Sequence, residues 1–282
     1  MGSSLIEKII AGRWIAGGNI ADAIRVSENF NKRRISTIIN YLGEEFTSAK
    51  DVSETVDTYF ALIDSIAKAN VRAAISIKPT QLGLRISKTM ASSNYAKILK
   101  YAESRKIFVW LDMETSKDVT FTIDTYMKML RNGNSGICIQ AYLKRSREDI
   151  TKIAKAGGIV RLVKGAYSES EKIAYKRKED IDKNYIALLH YLFRASHRFT
   201  VATHDLRMIE ESLRLNRKYK RHVTYAMLNG IRNKKAVELA RREDVAIYVP
   251  FGSRWVDYAY RRMREAGHMN IIIKSLLESQ KI

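Results

Sequence analysis

Short, mostly apolar runs alternate with longer segments whose apolar residues recur at helical spacing along most of this chain. The runs are nearly continuous in apolar residues, which is typical of strands buried on both faces of a parallel sheet. Between them, the segment 52–69 illustrates the helical pattern, because Val56, Tyr59, Ile63 and Ala67 fall on one stripe. The predicted strands occupy residues 35–42, 73–78, 107–112, 136–141, 159–164, 199–203, 222–226 and 245–249.

Eight strand–helix units in 282 residues predict an α/β fold, a (β/α)8 TIM barrel. A doubly wound open sheet is the alternative that the alternation leaves open. Residues 1–34 are predicted to form a helical segment packed on the barrel. Residues 35–282 are predicted to form the catalytic barrel, with an amphipathic tail helix over residues 270–279.

Composition narrows the class of protein. The chain is 46% hydrophobic with few prolines and glycines, so an ordered core is expected. One cysteine, Cys138, excludes an internal disulfide, and its apolar surroundings predict a buried, inert thiol. No apolar stretch is long enough to cross a bilayer, and the first residues lack a signal-peptide pattern. We therefore expect a cytoplasmic protein.

The net charge of +20 predicts an anionic partner, which could be nucleic acid, lipid headgroups or an anionic cofactor. The basic residues are spread along the chain and accompany no nucleic-acid-binding motif, so nucleic acid is not expected as the main partner. Diffuse charge of this kind is equally typical of an ion-paired thermophile surface.

Polar residues stand at or near the end of successive predicted strands. Barrel enzymes place their chemistry at this end of the strands. Burying lysine, aspartate or arginine costs several kcal/mol unless each is paired, so one polar residue per strand end favours a functional site over a structural one. A structural pair of Lys78 with Asp112 is the alternative. The residues are Lys78, Asp112, Gln140, Arg161, Lys164, Thr203, His204 and Tyr248.

Several common motifs are missing from the sequence. There is no G-x-G-x-x-G or Walker A motif, so no Rossmann nicotinamide site or P-loop is indicated. The histidines show no metal-binding spacing, and we expect no metal site. No G-x-S-x-G elbow indicates a serine hydrolase.

Near the C-terminus, Tyr258, Arg261, Arg262 and Glu265 recur at a spacing that places them on one face of a helix. Two adjacent guanidinium groups there would grip a carboxylate bidentately. The alternative is an amphipathic surface helix with a charged solvent face.

Taken together, the motifs resemble the flavin-dependent proline dehydrogenases, in their monofunctional bacterial and archaeal form. The resemblance extends over residues 40–265 and implies a distorted (β/α)8 barrel, preceded by helices, with a C-terminal helix over the barrel mouth. Pro79 departs from the leucine that is common in the family after the strand-two lysine. The matching motifs are S-I-K-P-T-Q-L-G from Ser76, L-D-M-E from Leu111, I-Q-A-Y from Ile139, R-L-V-K-G-A-Y from Arg161, A-T-H-D from Ala202, Y-V-P-F-G from Tyr248, and Y-x-x-R-R-x-x-E from Tyr258.

This resemblance implies a role for each matching residue. The cations of the substrate site would hold the carboxylate of L-proline, and its tyrosines would pack on the ring. Asp112 and Arg161 would be catalytic, with Asp112 orienting Lys78 and Arg161 placed near flavin N5. The substrate-binding residues would be Lys78, Tyr248, Tyr258, Arg261 and Arg262. The FAD-binding residues would be Met113, Gln140, Arg161, Lys164, Gly165, Ala166, Tyr167, Thr203, His204 and Glu265.

The implied reaction is oxidation of L-proline to 1-pyrroline-5-carboxylate by hydride transfer to flavin N5, with electrons passing on to a membrane quinone. A separate pyrroline-5-carboxylate dehydrogenase would complete the conversion to glutamate. We hypothesise that the positive charge helps the enzyme dock on an anionic membrane surface. The alternatives are a hydroxyproline dehydrogenase, another flavin barrel such as a methylenetetrahydrofolate reductase, and a basic nucleic-acid-binding barrel without activity.

Overall fold

Eight parallel strands close into a barrel in the computed structural model, which describes residues 14–131 and 134–253. Each strand pairs with the next along the chain, and β8 pairs with β1. The closed order confirms the predicted barrel and excludes the open sheet. The strands are β1 Ser36–Tyr41, β2 Ala73–Ile77, β3 Val109–Leu111, β4 Ser135–Gln140, β5 Val160–Val163, β6 Arg198–Ala202, β7 His222–Leu228 and β8 Asp244–Phe251.

Helices connect the strands on the outside of the barrel, and two short 3-10 helices, Pro79–Leu82 and Ser116–Asp118, follow β2 and β3. The predicted tail helix and the helix over the mouth lie outside the described residues. The division of the chain at residue 34 stays a prediction. The described helices are α1 Ile20–Asn31, α2 Ala49–Ala69, α3 Lys88–Glu103, α4 Val119–Met129, α5 Ser146–Lys155, α6 Lys178–Ala195, α7 Leu206–Tyr219 and α8 Asn233–Leu239.

Side-chain caps fix where several helices begin. Asn19, Ser48 and Ser87 each accept a hydrogen bond from the backbone amide three residues further on. These bonds satisfy amides that have no partner within the helix. Along α2, Val56, Tyr59 and Ile63 of the predicted apolar stripe are buried, whereas Ala67 is exposed, and Tyr59 is fully enclosed between the helix and the sheet.

Two apolar cores result from the alternation of side chains across the sheet. The larger core lies between the strands and the helices. The smaller one fills the barrel and includes Ile38, Trp110, Ala226 and Ala246. A Cβ on Gly136 would lie 2.5 Å from the Trp110 ring, so glycine makes room for this indole inside the barrel.

The segment before α1 lies at the carboxyl ends of the strands. Ala16 N donates to Pro250 O at 2.9 Å, and Gly252 N donates to Gly17 O at 2.9 Å. The helix α1 then leads to the opposite end of the barrel, where Asn31 bonds the backbone of Arg72. Residues 14–17 are thereby attached to the barrel mouth.

Candidate active site

The described candidate residues converge on one cavity at the carboxyl ends of the strands. Several of them follow a strand instead of ending it, because β2, β3 and β6 each end one residue earlier than predicted. The candidates that line the cavity are Lys78, Asp112, Met113, Gln140, Arg161, Lys164, Gly165, Ala166, Tyr167, Thr203, His204 and Tyr248. The remaining candidates, Tyr258, Arg261, Arg262 and Glu265, lie outside the described residues.

Asp112 is the centre of a buried charged cluster on the cavity floor. Its Oδ1 accepts from Arg161 Nη2 and, at 2.7 Å, from Ser76 Oγ. Its Oδ2 accepts from Tyr248 OH at 2.9 Å and lies 3.5 Å from Lys78 Nζ. One carboxylate therefore orients two cations and one phenol. We call Lys78, Asp112 and Arg161 the charged cluster.

In the charged cluster, burial and ion pairing shift the pKa values of Asp112 and Lys78 in opposite directions. Burial alone would raise the pKa of Asp112, but Arg161 and Lys78 outweigh it and hold that pKa below its usual range. Burial alone would lower the pKa of Lys78, yet neighbouring acidic groups raise it well above its usual range. Of those groups, Tyr167 and Tyr248 are neutral phenols near pH 7, so we attribute the effect at neutral pH to the carboxylates, Asp112 above all. Lys78, Asp112 and Arg161 are thus all charged at neutral pH.

Lys78 is held by the turn that follows β2. Pro79 begins the 3-10 helix, where its fixed φ is favourable and its missing N–H leaves no partner unmet. Gln81 Oε1 accepts from Lys78 N at 3.2 Å, and Gln81 Nε2 donates to Tyr41 O at 2.6 Å. Tyr59 OH bonds the same Gln81 Oε1. Pro79, which stands where leucine is common in the resembling family, therefore supports the placement of Lys78.

Arg161 lies inside the barrel between aromatic rings. Its guanidinium carbon lies 5.0 Å from the Trp110 ring centre and 5.5 Å from that of Tyr248. Such contacts stabilise a desolvated guanidinium. Its Nη1 and Gln140 Oε1 are buried without a hydrogen-bond partner among the described residues. These two atoms are a donor and an acceptor left for a ligand in the cavity.

The loop after β5 forms one wall of the cavity. Gly165 has a φ of +118°, and a Cβ there would lie 2.1 Å from the Tyr142 ring. Glycine is required by this packing as well as by the backbone. Lys164 Nζ donates to Asp182 Oδ1 at 2.7 Å and to Asp205 Oδ2 at 2.9 Å. The role of Lys164 towards cofactor phosphates stays a prediction.

The same loop is tied to its neighbours at the barrel mouth. Glu169 accepts from Ser116 N and from Ser116 Oγ, both at 2.6 Å, which joins it to the loop after β3. Tyr142 N donates to Lys164 O at 2.8 Å and joins it to the end of β4. The wall is thus held in place from two sides.

A less charged wall adjoins the loop after β5 and is formed by residues that follow β6 and β7. His204 Nε2 accepts from Leu228 N at 3.2 Å, which places the ring proton of the neutral histidine on Nδ1. Thr203 Oγ1 accepts from Asp205 N at 3.1 Å. Leu228 and Ile231 add apolar surface to this wall.

The site also contains residues that were not among the sequence-based candidates. Trp14 lines the cavity with a side chain that is 1% exposed, and Asn229 Nδ2 donates to its backbone oxygen at 3.2 Å. Ser76 and Cys138 face the barrel interior two residues before Lys78 and Gln140, on the same face of their strands. Period-two spacing from the polar strand ends would have found these two. Nothing in the sequence marked Trp14, whose contact depends on the fold.

Glu114 is another residue that was not among the candidates, and it is almost fully buried beside the charged cluster. Its carboxylate accepts from Thr80 N at 2.9 Å and from Thr80 Oγ1 at 2.6 Å. Burial raises the pKa of this carboxyl, with Lys78 and the Thr80 bonds opposing the shift. Glu114 therefore anchors the 3-10 helix that carries Pro79 and supports Lys78 from behind.

Within the described ranges, no cluster of three or more histidine, cysteine, aspartate or glutamate side chains has the arrangement of a metal site. Over the same part of the chain, no helix has the length and apolar character needed to cross a bilayer. Cys138 is buried, as predicted, and burial raises the pKa of its thiol.

Comparison with known proteins gives one consistent family. The sequence profile described as proline dehydrogenase matches residues 23–273. Proline dehydrogenase 2 of Bacillus subtilis is 31% identical over 264 residues, which are 92% of this chain and 87% of the relative. The proline dehydrogenase of Deinococcus radiodurans is 30% identical over 266 residues, which are 91% and 86% of the two chains.

Solved structures with the same fold belong to proline utilization A. The protein from Bdellovibrio bacteriovorus, inactivated by N-propargylglycine, superposes with a TM-score of 0.84 at 23% identity over 90% of this chain. The protein from Bradyrhizobium japonicum, as a D778Y mutant, superposes with a TM-score of 0.80 at 20% identity over 94% of it. The present chain spans 32% of the length of each of these two proteins, and the likeness establishes the fold.

Proposed function

Because this chain belongs to the proline dehydrogenase family, it is an oxidoreductase that acts on proline, and we propose that it converts L-proline to 1-pyrroline-5-carboxylate with FAD bound at the barrel mouth. One arrangement of side chains carries most of the support for this function. Two buried cations share a single carboxylate at the floor of the cavity, beside polar atoms that have no partner among the described residues.

The charged cluster fits an anionic substrate group. Lys78 and Arg161 bring two positive charges to the one negative charge of Asp112. A substrate carboxylate placed against Lys78 Nζ would form a charge-assisted hydrogen bond in a largely desolvated site. Asp112 would keep Lys78 in place, and the Tyr248 ring, fixed by its bond to Asp112, would bound the space for the proline ring.

The cavity also fits an isoalloxazine ring. Arg161 Nη1 would donate to an acceptor on the ring, and Gln140 Oε1 would accept from a ring N–H. Positive charge from Arg161 would favour electron density moving onto the ring system. Gly165, Ala166 and Tyr167 would form the wall beside it, next to Thr203 and His204, which follow the neighbouring strand β6. Bound FAD supplies the two-electron acceptor that no side chain provides.

The chain's own residues would position the reacting bond. Oxidation removes a hydride from the ring carbon next to nitrogen and a proton from nitrogen, which leaves the cyclic imine. With the carboxylate held at Lys78 and the ring bounded by Tyr248, this carbon would be presented in one orientation. The apolar side chains of Trp14, Leu228 and Ile231 would exclude water from the same space.

Electrons must then leave the enzyme, and we propose a quinone as their acceptor. The chain's net charge of +20 supports an encounter with an anionic membrane surface that contains the quinone. A separate dehydrogenase would consume pyrroline-5-carboxylate.

Product formation tests this proposal. The protein, reconstituted with FAD, is incubated with L-proline and a soluble quinone analogue, and the imine is trapped with o-aminobenzaldehyde. We expect the yellow adduct with L-proline and much less product from trans-4-hydroxy-L-proline, because Tyr248 bounds the ring space. Absence of the adduct would contradict proline oxidation, and a preference for hydroxyproline would contradict the role of Tyr248.

A further inference from the structure

Five arginines meet in a polar groove at the end of the barrel opposite to the cavity. They precede neighbouring strands, β7, β8, β1 and β2, whose amino ends lie side by side in the closed sheet. We call this feature the arginine groove. Its arginines are Arg34, Arg72, Arg221, Arg241 and Arg242.

Most of these guanidinium groups have no partner among the residues that the structure describes. The side chains of Arg34, Arg72, Arg241 and Arg242 make no hydrogen bond or ion pair with any residue in the ranges 14–131 and 134–253. Elsewhere on the surface, arginines such as Arg85 contact carboxylates directly. Unpaired like charges repel each other, so the arginine groove is electrostatically poised for an added anion.

The backbone beneath the groove is firmly held. Asn31 Nδ2 donates to Ile35 O at 2.9 Å, and Arg72 N donates to Asn31 Oδ1 at 2.6 Å, which ties together the segments that carry Arg34 and Arg72 just before β1 and β2. On the opposite side, Arg221 Nε donates to Phe193 O at 3.0 Å. The arginines therefore need little rearrangement of the main chain to share one ligand.

Two carboxylates, Glu243 and Asp244, also line the groove, and neither forms an ion pair with a described residue. An anion would therefore be attracted to the arginine side of the groove only. The two carboxylates would repel a long, continuous polyanion that crossed the whole groove. A compact anion with several oxygen acceptors suits this arrangement best. Guanidinium groups match phosphate oxygens bidentately, and several of them together favour more than one negative charge.

We propose that the arginine groove binds a compact phosphate-bearing anion at the end of the barrel remote from the proline site. The groove shares no residue with the cavity, so this site is independent of the proposed oxidation chemistry. Its ligand is either a free phosphate compound or the headgroup of an anionic lipid. Binding of a lipid headgroup there would leave the barrel mouth directed away from the lipid surface.

The first experiment titrates the full-length protein with sodium pyrophosphate at low salt by isothermal calorimetry. Two triple variants that each remove three positive charges are compared: R34Q/R72Q/R241Q in the groove, and K88Q/K97Q/K100Q on the exposed side of α3. We expect saturable binding by the wild type, weakened at least about tenfold in the groove variant and little changed in the α3 variant. Circular dichroism confirms that both variants are folded.

Two results would overturn the proposal: no saturable binding to pyrophosphate or to vesicles by the wild type, or equal weakening in the two triple variants. A sedimentation arm with phosphatidylglycerol vesicles, and phosphatidylcholine vesicles as control, distinguishes the two sources of phosphate. Groove-dependent sedimentation with phosphatidylglycerol identifies a lipid headgroup, whereas binding of pyrophosphate alone identifies a free anion. Proline oxidation is not the readout in either arm, so the outcome is separate from that of the proposed function.

Discussion

The two ends of the barrel treat positive charge in opposite ways. At the mouth, the buried Arg161 and the largely buried Lys78 share the carboxylate of Asp112. At the other end, Arg34, Arg72, Arg241 and Arg242 are exposed and Arg221 is half-buried; among the described residues none of the five has a carboxylate partner. A buried charge depends on its partner for several kcal/mol, whereas an exposed charge is screened by water. Substitutions at the two ends should therefore differ in size and in what they change.

Asp112→Asn should have the largest effect. Removing this carboxylate charge leaves two buried cations unpaired, which costs about 3–5 kcal/mol of unfolding free energy. Proline oxidation should fall at the same time, because Lys78 loses the group that orients it. Urea unfolding and steady-state kinetics measure the two effects. Asp64→Asn is the control, since Asp64 pairs with Arg105 at an exposed position and should cost no more than about 1 kcal/mol.

The difference in unfolding free energy between the wild type and Asp112→Asn should depend on pH, and this dependence identifies the ionised Asp112 carboxylate as the cause of the difference. The pKa of Asp112 lies below its usual value of 3.8, so its contribution is fully present above pH 3.8 and is lost as pH falls through the lower folded-state pKa. The gap in unfolding free energy between the wild type and Asp112→Asn should stay constant from pH 7 to pH 4 and narrow below pH 3.8. A gap that already narrows between pH 7 and pH 5 would contradict an ionised, cation-paired Asp112.

Gly165→Ala should have the next largest effect. The new Cβ would meet the Tyr142 ring and would also strain a backbone with φ of +118°, at a cost of about 1–3 kcal/mol. Because this loop forms the cavity wall, FAD affinity should fall as well. Gly157→Ala is a matched control, since Gly157 also has positive φ, +77°, but no atom lies within 4 Å of its added Cβ. Equal loss of flavin binding in both variants would contradict the wall assignment.

Tyr248→Phe should have a smaller effect. The change deletes one hydrogen bond to Asp112 Oδ2 and keeps the ring, at a cost of about 1 kcal/mol. We expect a raised KM for proline with a smaller change in kcat. Tyr225→Phe removes a comparable buried hydroxyl that bonds Ser212 away from the cavity, and its KM should be unchanged. A KM that rises equally in both variants would show that the effect is not local.

Substitutions in the arginine groove, at the end of the barrel opposite to the cavity, should have the smallest effect on the enzyme. R34Q/R72Q/R241Q should leave kcat and KM unchanged with a soluble acceptor, and should shift the unfolding free energy by less than about 0.5 kcal/mol for each site. A large loss of activity in this variant would break the separation between the two ends of the barrel.

The sequence predicted the fold because period-two and helical patterns reflect burial, and the buried strands of a barrel are nearly continuous in apolar residues. It also predicted which strand ends carry polar groups, such as Lys78 and Asp112. It anticipated the pairing of Lys78 with Asp112, but it did not reveal that Asp112 also bonds Ser76, Arg161 and Tyr248, since those contacts connect different strands across the barrel interior. Long-range pairings of this kind leave no local pattern.

Trp14 and the arginine groove illustrate the same limit. Trp14 reaches the cavity because residues 14–17 bond the end of β8, far away in the sequence. The arginines looked diffuse along the chain and converge only when the barrel closes. The roles predicted for Tyr258, Arg261, Arg262 and Glu265 concern residues outside the described ranges and stay predictions.

Anaerobic reduction of the bound flavin tests the central claim most directly. The protein is reconstituted with FAD, freed of oxygen and mixed with L-proline while its visible absorbance is recorded. If the cavity at the barrel mouth is a proline-oxidising flavin site, the yellow absorbance should bleach with L-proline, and bleaching should be strongly slowed in Lys78→Met although flavin is still bound. A protein that takes up no FAD, or whose flavin remains oxidised with L-proline, would contradict the account.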